Sequence, residues 1–395
     1  MSFIKELFRT LWELVDGVLN KITDNQIIKR LIVVVFFFII FILLIALFSS
    51  CSHKRYSYSS LENQMVKIVK QKYTSNLPKD DKGFTTVTLQ NLVNDGYIKE
   101  VSSVIQNNSV CTGYVKIINN NGNYLYIPSL DCGSDYKTAT LYDKITTNEN
   151  IVSSGNGLYK VNDEYIFKGD NVKNHLTLNG IKYLILKVNS DGTIRLLDLT
   201  KRDMVYWDNR FNVDKNASYG INNYVYNGIN SRLKDYVEGL YNDKEVTTNA
   251  MKPYFINTPI CIGKRSINDD IFDSSIECSE RASEFPYTLL SAYEYFQATL
   301  DNNCHTIKDN SCSNYNYLNN VGSTWTITAD KDSTFKVFKL NNNSMGTTNA
   351  SNLAYAKIVT TINGDLVLEQ KKDIKTRKYI MGDGSENNPY VIKTY

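Results

Sequence analysis

An uninterrupted apolar segment, Leu31–Phe48, divides the chain into a short head and a long body. Its eighteen residues carry no charge. Because an α-helix rises about 1.5 Å per residue, a helix of this length can cross the hydrocarbon core of a bilayer. Thirty residues precede the segment, whereas a cleaved signal peptide has a shorter leader and a shorter apolar core. The sequence therefore predicts a retained transmembrane anchor at residues 27–50.

The cysteines favour an extracellular location for the body. Lysine and arginine flank the apolar segment on both sides, so the distribution of positive charge does not decide the orientation. The cysteines of the body can all be paired locally, and paired cysteines are typical of oxidising compartments. The predicted disulfides are Cys111–Cys132, Cys261–Cys278 and Cys304–Cys312. We therefore predict a single-pass membrane protein with a cytoplasmic N-terminus and an extracellular C-terminal region.

Two features beside the span complete the prediction for the N-terminal region. Apolar residues recur at three- and four-residue steps from Ile4 to Ile22, with charged residues on the other face. This pattern predicts a cytoplasmic amphipathic helix at residues 1–26, which lies in the membrane interface or packs on a partner protein. Cys51 stands at the membrane edge, and its lipidation is left open.

The composition indicates a folded body that does not bind nucleic acid. Hydrophobic residues make up 42% of the chain and charged residues 22%, and the net charge is only +3. Such a balance gives no support to a strongly anionic partner. The chain is rich in Asn, Ile, Lys and Tyr and poor in Pro, a bias that is common in proteins from AT-rich bacterial genomes.

The first part of the body has the pattern of an α+β domain. A helix is predicted from Ser59, with Glu62 three residues later completing a capping box. A second short helix is predicted at residues 88–93. A hairpin with strands at 114–118 and 124–127 follows it.

From about residue 150 the pattern becomes β-rich. Strands are predicted at residues 157–168, 176–189, 193–199, 325–328, 335–340 and 390–392, and helices at residues 231–241 and 287–300. Residues 146–154 have the composition of a linker, so 57–145 and 150–395 are predicted to form separate cores. The second core is expected around Leu290, Phe296, Trp325 and Ile327. The last strand is expected to pair within the sheet of this domain.

The first part of the body resembles the globular part of small bacterial pilin-like proteins. The resemblance rests on the segments TVTLQNLVNDGYIKEV (86–101), CTGYVKI (111–117) and YLYIPSLDCGSDYKT (124–138). It implies that residues 57–145 form a small α+β domain that follows a membrane helix and carries a cysteine pair around a short sheet.

The second part resembles surface proteins of Gram-positive-type bacteria. The segments that carry the resemblance are CIGKRS (261–266), LLSAYEYFQATL (289–300), CSNYNYL (312–318), TWTITA (324–329) and GDGSENNPYVIK (382–393). Their order is also similar to the C-type-lectin-like, formylglycine-generating-enzyme-like class. This resemblance implies a β-rich fold for residues 150–395. The enzymes of that class use cysteines near the C-terminus, and because no cysteine follows Cys312, their activity is not implied.

The chain has few residues with the chemistry of an active site. Its histidines are His53, His175 and His305, and the sequence contains no zinc-peptidase, serine-hydrolase or P-loop motif. His305 follows Cys304, but a cysteine in a disulfide cannot act as a thiolate nucleophile. We predict no catalytic, cofactor-binding or metal-binding residue, and no enzyme activity.

Three polar segments raise the question of ligand binding. Four acidic residues crowd the second cysteine loop: Asp269, Asp270, Asp273 and Glu277. They form either a calcium site with carboxylate ligands or a solvated acidic loop. Gly382–Ser385 forms either a cation site or a tight turn before the last strand. Trp207–Asn209 matches a lectin carbohydrate triplet only in permuted order, so we assign no sugar site to it.

Two classes of function fit these features. The first is a membrane-anchored surface protein that binds a glycan or a surface protein through Tyr-rich loops, because the chain has 28 tyrosines and their rings supply contact area. The alternative is a structural or assembly component of a pilus-like or envelope machine. In both, the membrane is a partner, nucleic acid is not, and the oligomeric state is open.

Overall fold

The computed structural model describes residues 56–105 and 110–395, together with six isolated helical positions, Arg9, Glu13, Gly17, Val34, Val35 and Phe38. Apart from these positions, the predicted helix at 1–26, the predicted anchor at 27–50 and Cys51 lie outside the described residues. None of the described helices combines the length and apolar content that crossing a bilayer requires. The anchor and the amphipathic helix therefore stay predictions.

The chain forms two compact units, Met1–Tyr56 with Ser103–Asn108, and Ser57–Ser102 with Ser109–Tyr395. In the first unit, Tyr56 and Ile105 form a parallel β-bridge. The second unit is a mixed α+β structure in which nearly all strand pairs are antiparallel. It confirms the predicted α+β class.

The described helices are short and the strands numerous. The helices are α1 (Tyr58–Lys72), α2 (Leu89–Asn94), α3 (Val101–Val104), α4 (Leu141–Ile145), α5 (Arg232–Asn242) and α6 (Ala292–Gln297). The strands are β1 (Phe84–Thr88), β2 (Thr112–Asn120), β3 (Asn123–Asp131), β4 (Gly157–Val161), β5 (Glu164–Lys168), β6 (His175–Leu178), β7 (Ile181–Val188), β8 (Ile194–Asp198), β9 (Met204–Tyr206), β10 (Val225–Tyr226), β11 (Ile229–Asn230), β12 (Thr258–Cys261), β13 (Arg281–Phe285), β14 (Tyr287–Leu289), β15 (Thr324–Ala329), β16 (Lys336–Asn341), β17 (Ser344–Asn349), β18 (Leu353–Tyr355), β19 (Ile358–Ile362), β20 (Lys371–Lys372), β21 (Tyr379–Ile380) and β22 (Tyr390–Val391).

Helix α1 packs against a three-stranded antiparallel sheet with the order β1-β2-β3. The predicted β2–β3 hairpin is confirmed and is longer than expected, whereas β1 was not predicted. The helix begins at Tyr58 because the Ser57 hydroxyl accepts a hydrogen bond from the Ser60 N–H at 3.2 Å. The predicted capping box of Ser59 and Glu62 is wrong, since Glu62 is fully buried among partners from distant segments.

The three-stranded sheet contributes to the interior on both faces. Ile118, Leu125 and Ile127 belong to the same buried cluster as Leu184 and Trp325. Their neighbours along each strand point to the opposite face, where α1 packs. The second unit therefore contains most of both predicted domains, and their division into separate cores stays a prediction.

An eight-stranded sheet forms the centre of the remaining structure, with the order β14-β19-β8-β7-β5-β4 and with β6 and β22 attached to β7. The predicted pairing of the last strand is confirmed, since β22 lies parallel to β6. The predicted strands 157–168 and 176–189 are each hairpins instead. Asn162 and Asn179 lie in their turns with positive φ, of 53° and 49°, a conformation that asparagine tolerates.

A five-stranded sheet with the order β17-β16-β15-β18-β9 contains the predicted Trp325 strand. Helix α5 is confirmed, with Ser231 as its N-cap. The predicted helix at 287–300 is wrong at both ends, because Tyr287–Leu289 pairs with β19 as strand β14 and the helix covers only Ala292–Gln297. Sheet pairing thus outweighs the helical spacing of the apolar residues in that segment.

The structure contains the three predicted disulfides, Cys111–Cys132, Cys261–Cys278 and Cys304–Cys312. Each closes a local loop, with sequence separations of 21, 17 and 8 residues. A region with three disulfides is typical of an extracytoplasmic location.

Replacing Cys261 and Cys278 with serine is expected to lower the free energy of unfolding by about 2–4 kcal/mol, because the unfolded chain gains conformational freedom. The same change at Cys304 and Cys312 is expected to cost less, since it opens a shorter loop. Thermal unfolding of the full-length protein in detergent measures both effects. A larger loss for the shorter loop would contradict this account.

Candidate functional site

Arg265 organises the acidic loop that the second disulfide closes. The side chain is fully buried. Its guanidinium donates two hydrogen bonds to the Glu277 carboxylate, from Nε at 2.9 Å and from Nη2 at 2.7 Å. Nη1 donates to the carbonyl oxygen of Asp270 at 2.6 Å, and Nη2 to that of Asp273 at 2.7 Å. The loop is therefore wrapped around a guanidinium cation.

The three aspartates of this loop accept hydrogen bonds from three different backbone groups. Asp269, Asp270 and Asp273 each accept a hydrogen bond from a backbone N–H two or three residues away, at 2.8, 3.0 and 2.9 Å. Among residues 56–105 and 110–395, no group of three or more His, Cys, Asp or Glu side chains is arranged to hold a metal ion. Because Arg265 supplies the positive charge, the loop geometry favours the structural interpretation over a calcium site.

A cleft of about 260 Å³ lies beside this loop, and charged side chains form part of its lining. Glu294 forms an ion pair with Arg195, and Lys187 pairs with Glu164 at 2.8 Å. Burial alone would raise the pKa of Glu294, but Arg195 and a backbone N–H hold the carboxyl pKa below its ordinary value. A carboxylate that is kept ionised is a poor general acid. Glu294 is therefore unsuited to donate a proton in this cleft, and its role here is the ion pair with Arg195.

The histidines singled out by the sequence have no nucleophilic cysteine beside them in the described part of the chain. Cys304 forms a disulfide with Cys312, so its neighbour His305 does not face a thiolate. His175 opens strand β6, and burial lowers the pKa of its imidazole. His53 lies outside the described residues.

The segment Gly382–Ser385 forms a tight turn. The Asp383 carboxylate accepts hydrogen bonds from the N–H and the hydroxyl of Ser385, at 3.1 and 2.7 Å, and pairs with Lys173 at 3.2 Å. The hydrogen bonds from Ser385, and then the charge of Lys173, lower the pKa of Asp383 to about 2. These contacts favour the turn over the cation site.

The Trp207–Asn209 triplet does not present its first two side chains to a ligand. Trp207 is fully buried, and its Nε1 donates to the carbonyl oxygen of Thr326 at 3.0 Å. Asp208 is also buried and forms an ion pair with Arg210. Both residues support the five-stranded sheet and the loop that follows it.

Exposed aromatic and aliphatic side chains lie on edge strand β9, on its partner β18 and on the loop that follows β9. We define the aromatic surface as Tyr206, Phe211, Tyr219 and Leu353, whose exposed fractions are 38%, 51%, 45% and 46%. Tyr206 on edge strand β9 pairs directly with Leu353 on β18. Phe211 and Tyr219 lie in the loop that leaves β9.

The loop that leaves β9 is fixed to the sheet by polar and aromatic contacts. The side-chain amide of Asn212 donates to the carbonyl oxygen of Thr334 at 3.0 Å. The ring of Tyr219 packs on Phe335 with 5.0 Å between centroids, and the N–H of Ser351 donates to the Tyr219 carbonyl at 3.2 Å. The aromatic surface is thus presented on a constrained backbone, which reduces the entropy lost on binding.

Comparison of the chain with protein-family models, with curated proteins and with solved structures gives no match. The aromatic surface therefore has to be judged on its own geometry. The sequence predicts Tyr-rich contact loops but not these residues. An available signal is the recurrence of aromatic residues between Tyr206 and Tyr226 in a segment without helical or strand periodicity.

Proposed function

We propose that residues 57–395 form a non-catalytic, extracytoplasmic binding region of a membrane-anchored bacterial surface protein, and that the aromatic surface contacts a partner protein. The observation that carries the proposal is the exposure of Tyr206 and Leu353 on two paired strands at the sheet edge, and of Phe211 and Tyr219 on the loop that follows β9. Apolar side chains grouped on a surface commonly mark an interaction site. The three disulfides support the location outside the cytoplasm.

The residue types at the sheet edge favour a protein over a glycan as the partner of this surface. Aromatic residues, Met and Arg are enriched at protein interfaces. Met204 on β9 is 47% exposed, and Arg210 lies between Tyr206 and Phe211 in sequence. Leu353 adds an aliphatic side chain that is suited to a hydrophobic pocket rather than to sugar hydroxyls.

Binding of the full-length protein to intact cells of the encoding bacterium tests the proposal. Fluorescently labelled protein in detergent micelles is expected to bind saturably, and protease treatment of the cells should abolish binding. The double variant Tyr206→Ala with Tyr219→Ala should bind about ten-fold or more weakly, because exposed tyrosines are frequent interface hot spots. Binding that survives protease treatment would point to a glycan partner and contradict the proposal.

Two controls accompany this experiment. Tyr97 and Tyr114 are each 42% exposed and lie outside the aromatic surface, so Tyr97→Ala with Tyr114→Ala should leave binding unchanged. Antibody labelling of the body on intact cells should succeed, since the proposal places residues 57–395 outside. Equal losses in both double variants would show that the effect is not specific to this edge.

An assembly role is the second candidate, and one observation favours it. Strand β9 is an edge of its sheet, and edge strands are templates for pairing with another chain. The resemblance of residues 57–145 to pilin-like proteins points the same way. In light scattering of the full-length protein, concentration-dependent growth that Tyr206→Ala with Tyr219→Ala removes would support assembly over adhesion.

A further inference from the structure

Strands β20 and β21 form a two-stranded hairpin, residues 371–380, which we call the basic hairpin. Its segment 371–378 carries one carboxylate and five cationic side chains, a net charge of +4, whereas the whole chain carries only +3. The five cations are Lys371, Lys372, Lys375, Arg377 and Lys378. The nearly neutral composition of the chain therefore conceals a strongly basic surface, because acidic residues elsewhere cancel its charge.

The charge of the basic hairpin is not neutralised within the protein. All five cationic side chains are exposed. Among residues 56–105 and 110–395, none of the salt bridges includes any of them. The carboxylate of Asp373 is used inside the hairpin, where it accepts hydrogen bonds from the N–H and the hydroxyl of Thr376 at 2.6 and 2.8 Å. The positive charge is therefore available to an anionic partner outside the chain.

An apolar side chain stands among these charges at the turn of the hairpin. Ile374 is 94% exposed, the largest exposed fraction among the large apolar side chains that the structure describes. Ile380 on β21 is 52% exposed. Apolar side chains among Lys and Arg are typical of segments that bind the membrane interface, where the apolar groups enter the lipid and the cations attract anionic headgroups. A merely solvated hairpin accounts for the charges but not for Ile374.

The basic hairpin lies at the end of α1 that follows the predicted anchor. The ring of Tyr379 on β21 packs edge-on against Tyr136 and Tyr58, with 4.9 and 6.1 Å between centroids. Tyr58 is the first residue of α1. Nine residues separate it from Phe48, the last residue of the predicted span. Because a linker of that length reaches at most about 35 Å, the base of the hairpin stays close to the membrane surface.

The backbone of the basic hairpin is held in place by hydrogen bonds. The N–H of Asp373 donates to the Lys378 carbonyl at 2.8 Å, and the N–H of Arg377 donates to the Asp373 carbonyl at 2.9 Å. The side-chain amide of Gln370 donates to the Lys137 carbonyl at 3.1 Å, which ties the start of the hairpin to the loop after β3. A surface that is formed before its partner arrives loses less entropy on binding.

We propose that the basic hairpin binds anionic lipid headgroups of the membrane that anchors the protein, with Ile374 entering the interface and the cations contacting phosphate groups. The contact is a second attachment beside the predicted span, so it restricts the orientation of the body and of the aromatic surface. It rests on the membrane anchorage of the proposed function, because the short linker holds the hairpin near lipid only when the span is inserted.

A fluorescent probe on the hairpin tests the proposal. The full-length protein with Cys51→Ser and Ile374→Cys is labelled at residue 374 with a polarity-sensitive fluorophore and reconstituted into lipid nanodiscs, one chain per disc. In discs that contain phosphatidylglycerol, the emission should shift to shorter wavelength and resist quenching by acrylamide. Neither effect should occur in pure phosphatidylcholine. Both should disappear at about 1 M salt, where charges are screened beyond a few ångströms.

A charge variant tests whether the cations cause the contact. It replaces three lysines of the hairpin: Lys371→Ser, Lys375→Ser and Lys378→Ser. The contact equilibrium should move about a hundred-fold toward the unbound hairpin, since each cation near an anionic surface contributes a similar free energy. The matched control replaces three exposed lysines outside the hairpin and should leave the shift unchanged. These are Lys244→Ser, Lys308→Ser and Lys331→Ser.

A second probe position controls for contacts that any exposed residue makes with the disc. Asn343 is exposed in the turn between β16 and β17, so a probe on Asn343→Cys should not respond to phosphatidylglycerol. An equal shift at both positions would overturn the proposal, as would a shift that survives the charge variant. Equal emission from the hairpin probe in the two lipids would also overturn it and leave the cations to an anionic macromolecule.

Incorporation into the discs is measured first, because it separates this proposal from the anchorage on which it rests. Failure to incorporate would overturn the anchor, and the hairpin contact with it. Incorporation without the emission shift would overturn the hairpin contact alone.

Discussion

Replacing Arg265 with methionine is expected to lower the free energy of unfolding by about 3–5 kcal/mol. The change leaves the buried Glu277 carboxylate without its cation and removes the donors that hold the Asp270 and Asp273 carbonyl groups. Methionine retains much of the side-chain volume, so the loss reports the uncompensated charge and the unpaired carbonyl groups rather than a cavity. Thermal unfolding of the full-length protein in detergent gives the measurement.

Two control variants show how much of the loss in unfolding free energy at Arg265 comes from burial of the ion pair and how much from the unpaired charge. The ion pair of Lys82 and Glu284 has a similar distance of 2.9 Å but is nearly half exposed, so Lys82→Met should cost less than about 1 kcal/mol. Adding Glu277→Gln to Arg265→Met should restore part of the stability, because the charge disappears while the amide oxygen still accepts from the Tyr293 N–H. If the double variant were the less stable of the two, the charge argument would fail.

Replacing Glu62 with glutamine is expected to destabilise the protein by about 3 kcal/mol or more. The change removes the negative partner of a buried ion pair and leaves the positively charged Lys393 in place. Oε2 accepts from Lys393 Nζ at 2.8 Å and from the Tyr395 hydroxyl at 3.2 Å. Oε1 accepts from the Tyr136 hydroxyl at 2.8 Å and the Thr138 hydroxyl at 2.6 Å. A neutral amide leaves the lysine, whose side chain is only 13% exposed, without a counter-charge.

A neighbouring residue provides the control for Glu62. Asn63 is exposed on the same helix, so Asn63→Ala should change the unfolding free energy by no more than about 0.5 kcal/mol. Urea unfolding of both variants and the parent protein gives the comparison. Similar midpoints for Glu62→Gln and Asn63→Ala would mean that the buried network contributes little.

Local sequence patterns correctly predicted the elements that are stabilised by residues close together in the sequence. The β2–β3 hairpin forms as expected, helix α5 lies within one residue of its predicted bounds, and the cysteines pair with their nearest partners. Each of these features depends on residues within about twenty positions of one another. Short-range chemistry is therefore enough to find them.

The predictions that were wrong or missing concern residues whose contacts lie far away in the sequence. Glu62 has the spacing of a capping box, but Lys393, 331 residues away, determines its role. Tyr287–Leu289 belongs to an apolar pattern that suits a helix, but pairing with β19 makes it a strand. The burial of Arg265 was not predicted, because no pattern in the neighbouring sequence indicates that a loop will enclose its side chain. The aromatic surface needs the pairing of β9 with β18, which no local pattern contains.

The parallel pairing of β22 with β6 has a consequence for when the eight-stranded sheet can form. Leu176 pairs with Tyr183 on one side and with Tyr390 on the other, so the eight-stranded sheet is incomplete until Tyr390 has been synthesised. Contacts of such high sequence separation slow folding and leave apolar strands exposed in the meantime. Completion of the eight-stranded sheet therefore comes late in folding, and strand β6 has an unpaired edge until then.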